Sequence, residues 1–435
     1  MRVLAVSYFF PPIGGAGVQR NLRLASHLSE QGVEMAVLTG PAEVSSLWTP
    51  HDARLAAELP SEIALHRIEE SEPSVSPIRG RLERLLRIDS DWTRWWRQGV
   101  LAEGRRVGRG CDLLWALMQP YASAAPVAKL ASELGVPWVA DLADPWALDE
   151  MQIYPSALHR RVALREMRNA LAPSAGIVMS TREAARQLLR NFPELSSHRL
   201  AIGPVGWDRH DFESAPPLRS NAQPFRIVHT GYLHTELGRK QRRLARTRKL
   251  LGGTRNGVDI LTRSHVFLLR AIDALLEQRP ELQGRIELYL AGVQSAADRE
   301  VTSKRVNVRM LGYLEHPESV SLIRAADLLF LPMHDLPPEH RATIVPGKTY
   351  EYLAAGRPIL AAIPNGDARD ILSESGAAFL CCPADHAAMR EIISSRLDAF
   401  IAGTPDPAPN RDVVERFEYG RLAREMATFF GEVLR

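Results

Sequence analysis

The stretch PGKTYEYLAAGRPIL, Pro346 to Leu360, decides how this chain is read. Pro346 and Gly347 open an element in which Lys348, Tyr350, Glu351, Leu353 and Ala354 fall at helical spacing, and Gly356 with Pro358 ends it. A carboxylate, Glu351, is thereby fixed about one turn inside a helix. Backbone N–H groups at a helix start attract phosphate, so a nucleoside diphosphate lying there would leave its ribose hydroxyls within reach of Glu351. The same residues also suit an ordinary helix-to-strand turn of an α/β domain. The rest of the chain has to separate the two readings.

Outward from this stretch, strand and helix signals alternate along the whole sequence, which implies parallel sheets. Strands are expected at Val3 to Ser7, Glu34 to Thr39, Leu113 to Leu117, Trp138 to Ala140, Gly176 to Ser180 and Leu200 to Gly203. A second series follows at Arg226 to Thr230, Ile286 to Ala291, Val308 to Leu311, Leu328 to Pro332 and Ile359 to Ala362. Helices are expected at Val18 to Gln31 and Val266 to Gln278. The polar, Pro-containing run between the two series suits an interdomain linker. The division is therefore 1–205, a linker at 206–224, a second domain at 225–412, and a final helical segment at 413–435 with Phe417, Leu422, Met426, Phe429 and Leu434 at roughly helical spacing.

Bulk properties agree. A chain of 435 residues exceeds one typical core and suits two domains of roughly 200 residues each. With 54 basic and 51 acidic residues the formal charge is only +3, which argues against a nucleic-acid partner. Cys111, Cys381 and Cys382 have no CxxC spacing, and a reducing cytosol fits best. MRVLAVSYFFPP reads as a first buried strand, with no cleavage site of the signal-peptide kind after it. No run approaches the roughly 20 apolar residues of a membrane span.

FPPIGGAGVQR, Phe10 to Arg20, joins the first strand to the first helix. Gly14, Gly15 and Gly17 let backbone approach a ligand and offer N–H groups to anionic oxygen, or simply form a turn that needs positive φ. A dinucleotide-binding fingerprint fails here, because Arg20 replaces the third glycine and the second strand ends in Leu38-Thr39-Gly40 without a ribose-binding acid.

Taken in order, FPPIGGAGVQRNLRLASHL, DSDWTRWW (Asp89 to Trp96), VPWVADLADPW (Val136 to Trp146) and PGKTYEYLAAGRPIL resemble one bacterial branch of the family-4 glycosyltransferases used in surface-polysaccharide assembly. The resemblance spans nearly the whole chain. It implies the GT-B fold, two Rossmann-like doubly wound α/β domains facing across a cleft with the last helix crossing back to the first domain. It also implies a donor nucleotide on the second domain and an acceptor mostly on the first. By that resemblance Glu351 would accept bonds from the ribose diol, Lys348 and the amides around Pro346 and Gly347 would approach the diphosphate, and Gly14 and Gly15 would close over it. Gly231 matches the small glycine after the second domain's first strand, and Arg263 is a candidate second phosphate cation. Fixed donors and cations are needed because the leaving nucleoside diphosphate gains negative charge.

The chain departs from the family pattern in two places. The common motif has a second Glu eight residues before Glu351, where Thr343 stands, and Glu339 is a substitute from the same loop or a solvated charge. Nor is there a histidine after the Leu113 to Leu117 strand, where Gln119-Pro120-Tyr121-Ala122-Ser123 stands. Asp141 and Asp144 follow a strand at a sheet edge where parallel folds place ligands. Asp144 is read as a base or acceptor-positioning group, or as the cap of the next helix before Pro145. Asp89 and Asp91 imitate a metal-binding acidic triplet but sit in an Arg-rich stretch without a preceding strand, so no metal site is expected and no cofactor beyond the donor itself. Leu237 to Gly253 carries seven basic residues, with Leu237, Leu244 and Leu251 recurring every seventh residue. It suits an anionic lipid surface, a solvated hairpin or donor phosphate.

The sequence thus reads as a cytoplasmic, metal-independent glycosyltransferase that moves a sugar from a nucleotide donor to a glycan or lipid-linked glycan, and the resemblance implies that it does so with retention. The alternatives are an epimerase or hydrolase acting on nucleotide sugars, and a non-catalytic subunit that binds a sugar nucleotide or glycan.

Overall fold

A computed structural model describes residues 1–43, 50–68, 72–73, 76, 79–80, 83, 85, 88–214, 220, 222–244, 250–255 and 257–435. The chain divides into two compact units. The first comprises Met1–Asp149, Leu158–Val205 and Tyr419–Arg435; the second comprises Glu150–Ala157 and Gly206–Glu418.

The first unit is built on a seven-stranded sheet in the order β3-β2-β1-β4-β5-β6-β7, all pairs parallel. The strands are β1 (Arg2–Ser7), β2 (Glu34–Thr39), β3 (Ala64–Arg67), β4 (Leu113–Leu117), β5 (Trp138–Leu142), β6 (Gly176–Met179) and β7 (Arg199–Ile202). β4, β5 and β6 are buried at every position, as strands covered on both faces must be. The helix Ala16–Glu30 and the last helix, Tyr419–Val433, share one apolar core with this sheet. Phe430 meets Trp115 edge-on at 5.7 Å. Gly176 has no side chain because a Cβ there would stand 2.9 Å from the Phe429 ring.

The second unit holds a six-stranded parallel sheet in the order β10-β9-β8-β11-β12-β13. These are β8 (Phe225–Thr230), β9 (Ile286–Ala291), β10 (Val308–Gly312), β11 (Leu328–Pro332), β12 (Ile359–Ala362) and β13 (Ala378–Cys381). Val266–Gln278 and His386–Ala402 pack on it through Leu268, Ile272, Ile393 and Leu397. Both units are therefore doubly wound, and in each the strand order reverses beside its first strand.

Three sequence expectations change. The segment 413–435 is two helices, Arg411–Glu415 in the second unit and Tyr419–Val433 in the first. The break falls where Phe417 is held by its own unit: its carbonyl accepts from Trp207 N at 3.0 Å and its ring lies 4.7 Å from Tyr350. The polar run after Val205 begins with an anchor, since buried Trp207 also donates its indole N–H to Val414 O at 2.9 Å. Finally, Glu150–Ala157 belongs to the second unit although its neighbours on both sides belong to the first.

Arg20 and Asp141 tie the first unit together. Arg20 is 1% exposed, and its guanidinium meets both oxygens of Asp141 at 3.0–3.2 Å while also donating to Gly203 O at 2.8 Å. Trp115 Nε1 adds a third donor to Asp141 at 3.1 Å. Burial pushes the Asp141 carboxyl up, against the opposing pull of Arg20 and Trp115. Such a pair adds little net stability, yet removing one partner strands the other charge at a cost of about 3–5 kcal/mol. Arg20→Met should therefore destabilise the first unit by about that amount in urea unfolding, and adding Asp141→Leu should recover most of it. Equal loss in the single and double variants would contradict this.

Candidate functional site

In open α/β sheets ligands bind beyond the carboxyl ends of the strands where the strand order reverses. In the second sheet that point lies between β8 and β11. The chain leaves β8 through Gly231 at φ +95°, and a Cβ at this glycine would stand only 2.9 Å from Lys348 Nζ. Glycine is thus required here both for its backbone conformation and to admit the lysine.

Lys348 is the first residue of the helix Lys348–Ala355 and points back at the end of β8. Its ammonium donates to Nε2 of the wholly buried His229 at 3.2 Å, and His229 Nδ1 lies 2.9 Å from Phe330 O. The carbonyl only accepts, so Nδ1 carries the proton and the ring is neutral, as burial and the Lys348 charge both require. Burial, then the Arg263 guanidinium, pull the Lys348 amine down to about 7 against the opposing charge of Glu351. An anion arriving here would restore its charge.

Arg263 follows the short turn Ile260–Thr262, which Asp259 caps by accepting from Leu261 N at 3.1 Å. The Arg263 carbonyl accepts from His234 N at 2.9 Å. Burial, with the charges of Arg263 and Lys348, brings His234 down to about 2, so this ring is neutral too. The helix Thr235–Arg243 braces the turn so closely that a Cβ on Gly238 would lie 2.4 Å from Leu261 Cα. Its Arg239 pairs with Glu300 and its Arg242 with Asp259. The basic stretch therefore begins as part of the scaffold of this site. The helix ends at Arg243 with Leu244 as its cap, and 245–249, including Arg246 and Arg248, lie outside the described residues.

Glu351 sits one turn further along the Lys348–Ala355 helix and accepts from His316 Nε2 at 2.9 Å. Pro346 accepts from Thr349 N, and Gly347 caps the helix without a side-chain bond. Tyr352 of the same helix accepts from Thr230 N at 2.9 Å, which fixes the helix start against β8. Thr343 is buried, and its amide and hydroxyl both donate to the carboxylate of Glu150. His334, immediately beyond β11, donates Nε2–H to the same carboxylate at 2.9 Å. Glu339 is exposed beside His340.

Sequence reading missed His229, His234, His316, His334 and Glu150. The histidines carried one signal, their place inside or just after a strand or at a helix start. Glu150 carried none, because only folding brings it to Thr343.

In the first unit, Gly15 has φ +118° and caps the helix Ala16–Glu30, while Gly17 lies inside that helix. Gly14 differs from expectation: its amide is committed to Pro50 O at 2.6 Å rather than offered to a ligand. Asp141 is a structural ion-pair residue and not part of a site. Asp144 is exposed and accepts from Gln119 Nε2. It does not cap the turn Trp146–Leu148. Beside it, Tyr121 and Trp146 stack with ring centres 4.5 Å apart and planes within 4°, and Tyr121 Oη accepts from Trp146 N at 3.1 Å. Trp146 has φ +51°, a strained value for a bulky residue. Asp89 pairs with Arg97, and Asp91 with Arg79 and Arg94, at the start of the helix Asp91–Val107.

Residues 260–398 match the family model described as Glycosyl transferases group 1. No curated protein matches the sequence. Among solved structures, sucrose-phosphate synthase from Thermosynechococcus elongatus is similar over 99% of both chains, with a TM-score of 0.65 at 12% identity. Anabaena HepE in complex with UDP and glucose is similar over 99% of this chain and 100% of its own, with a TM-score of 0.59 at 14% identity. A putative UDP-N-acetylglucosamine 2-epimerase from Listeria monocytogenes covers 99% of this chain and 97% of its own, with a TM-score of 0.55 at 12% identity. The chain has the GT-B fold of two Rossmann-like domains, and residues 260–398 within it are similar to the glycosyl transferases group 1 family.

Proposed function

We propose that the chain is a glycosyltransferase of the family-4 type that transfers a sugar, with retention, from a nucleoside-diphosphate donor held by its second unit. The observation that carries this reading is the gathering of Lys348, Arg263, His229 and His234 around Gly231 at the switch point, where positive charge is disfavoured until an anion arrives. A UDP complex of a structurally similar protein supports the donor class. In the reaction the bond from sugar C1 to the terminal phosphate oxygen breaks, and its electron pair leaves with the diphosphate. Lys348 and Arg263 stabilise that charge as it forms. The acceptor hydroxyl oxygen bonds to C1 and gives up its proton to the carboxylate of Asp144.

On the donor, the ribose diol replaces His316 or shares Glu351 with it. The acceptor is a glycan or lipid-linked glycan bound at the first unit, where the Tyr121–Trp146 stack offers an aromatic face next to Asp144. Gly15 allows the backbone beyond β1 to come close to the donor. A place on the cytoplasmic side in bacterial surface-polysaccharide assembly, with peripheral contact to anionic lipid through 237–253, completes the reading. Among the described residues no helix is long and apolar enough to cross a membrane. The second reading, an epimerase on the same fold, is favoured by the similarity to the Listeria protein. Incubation with nucleotide sugars alone separates them: slow release of nucleoside diphosphate supports transfer, and interconverted sugar supports epimerisation.

Four outcomes are expected. Glu351→Gln should weaken nucleotide binding roughly 10- to 150-fold, the worth of a charged hydrogen bond, with the fold intact. Unchanged affinity by calorimetry would remove Glu351 from the site.

Nucleotide affinity should also depend on pH through Lys348. Its free-state value of about 7 is raised by the bound diphosphate, so affinity is full below that pH. Above it, affinity falls by up to about tenfold per unit, because the proton must be taken up on binding. A flat profile between pH 6 and 9, or the same slope in Lys348→Met, would contradict this.

Gly15→Val should abolish turnover and spare nucleotide binding, because a β-branched residue resists φ +118°. A normal catalytic rate would reduce the loop to a turn. Turnover should also survive saturating chelator, and loss restored by magnesium or manganese would overturn metal independence.

A further inference from the structure

Glu150 is carried by a short segment, yet it is 2% exposed and receives three hydrogen bonds. Its partners are His334 Nε2, Thr343 N and Thr343 Oγ1. Burial alone would raise its carboxyl, but the hydrogen bonds from His334 and the Thr343 hydroxyl outweigh burial and hold it below the usual carboxylate range. The carboxylate is therefore ionised and fixes the proton of His334 on Nε2.

The other ring nitrogen is left over. His334 is fully buried, and among the described residues its Nδ1 has no hydrogen-bond partner. An orphan buried nitrogen is costly and calls for an explanation. The backbone on either side is already bonded, since Met333 O accepts from Thr262 Oγ1 and Asp335 N donates to Asp259 O, both at 3.0 Å. The titratable groups facing His334 are Glu150, Asp335 and His234, and His234 is in turn faced by Arg263 and Lys348. His234 Nδ1 is likewise buried without a partner.

We propose that Glu150 is a positioning residue of the donor site: it holds His334 with Nδ1 toward the donor diphosphate, and the imidazole takes a proton there when the diphosphate binds. A phosphate oxygen then accepts from Nδ1–H while Nε2–H stays on Glu150, so the carboxylate balances the new imidazolium. This rests on the donor-site reading above and adds a residue pair to it. A buried ion pair that only anchors the segment 150–157 would leave Nδ1 untouched by ligand.

The test is the ring ¹⁵N spectrum of His334, assigned with His334→Gln, in the full-length protein with and without the tightest of UDP, GDP, ADP and dTDP. In the wild type, nucleotide should convert His334 from the Nε2–H tautomer to the doubly protonated ring. In Glu150→Gln the ring should stay neutral, and affinity should fall tenfold or more, as for loss of a charged hydrogen bond. A His334 spectrum that ignores bound nucleotide, or Glu150→Gln behaving as wild type, overturns the proposal while leaving the donor site standing. No binding of any of the four nucleotides by the wild type overturns the donor site and this pair with it. Should Glu150→Gln fail to fold, His334→Gln decides by calorimetry: a tenfold loss supports the pair, and unchanged affinity refutes it.

Discussion

The structure around the second sheet is governed by one constraint, the ammonium of Lys348 held against His229 at the mouth of β8. Desolvation and the nearby guanidinium of Arg263 both oppose its charge. An amine is kept in such a place only if other forces fix it there. Gly231 removes the side chain that would displace it, Tyr352 pins its helix to Thr230, and His229 gives it a neutral acceptor set by the Phe330 carbonyl. The helix Thr235–Arg243 and the capped turn before Arg263 add the second cation. What results is a pair of fixed cations beside Gly231, to which the proposed function assigns the charge of a departing diphosphate.

The first unit uses similar chemistry for the opposite purpose. Arg20 and Asp141 lie in the two segments that look most functional, the glycine loop and the Asp-rich strand end, yet they neutralise each other inside the core. Arg20 is what displaces the third glycine of a dinucleotide fingerprint, and its guanidinium explains why: it reaches β5 and the carbonyls beyond β7. Three residues past Asp141, Asp144 remains exposed next to the strained Trp146 and the ring stacked on it. Local sequence cannot distinguish the two carboxylates. Their depth in the sheet does.

Central strands were readable from the sequence because parallel strands buried on both faces are continuous apolar runs; β2, β4, β9, β11 and β12 match their expected limits. The missed strands, β3 and β13, are four-residue edges, ALHR and AFLC, with exposed or half-exposed positions that blur the pattern. Periodicity also ran through the break at Phe417, since spacing alone does not show that an aromatic ring is held by a different unit from the helix after it. Of the candidate site, the placement of Lys348, Glu351 and Gly231 was legible because it is local to one helix start and one strand end. Glu150 and His334 were not, because the bond between them joins positions that only the tertiary fold brings together.

The most direct measurement is a crystal structure of the protein with a nucleoside diphosphate bound. The expected result is a terminal phosphate within hydrogen-bonding distance of Lys348 Nζ beside Gly231 and a ribose diol on Glu351. A nucleotide ordered anywhere other than the β8–β11 switch point, or phosphates that leave Lys348 bonded only to His229, would contradict it.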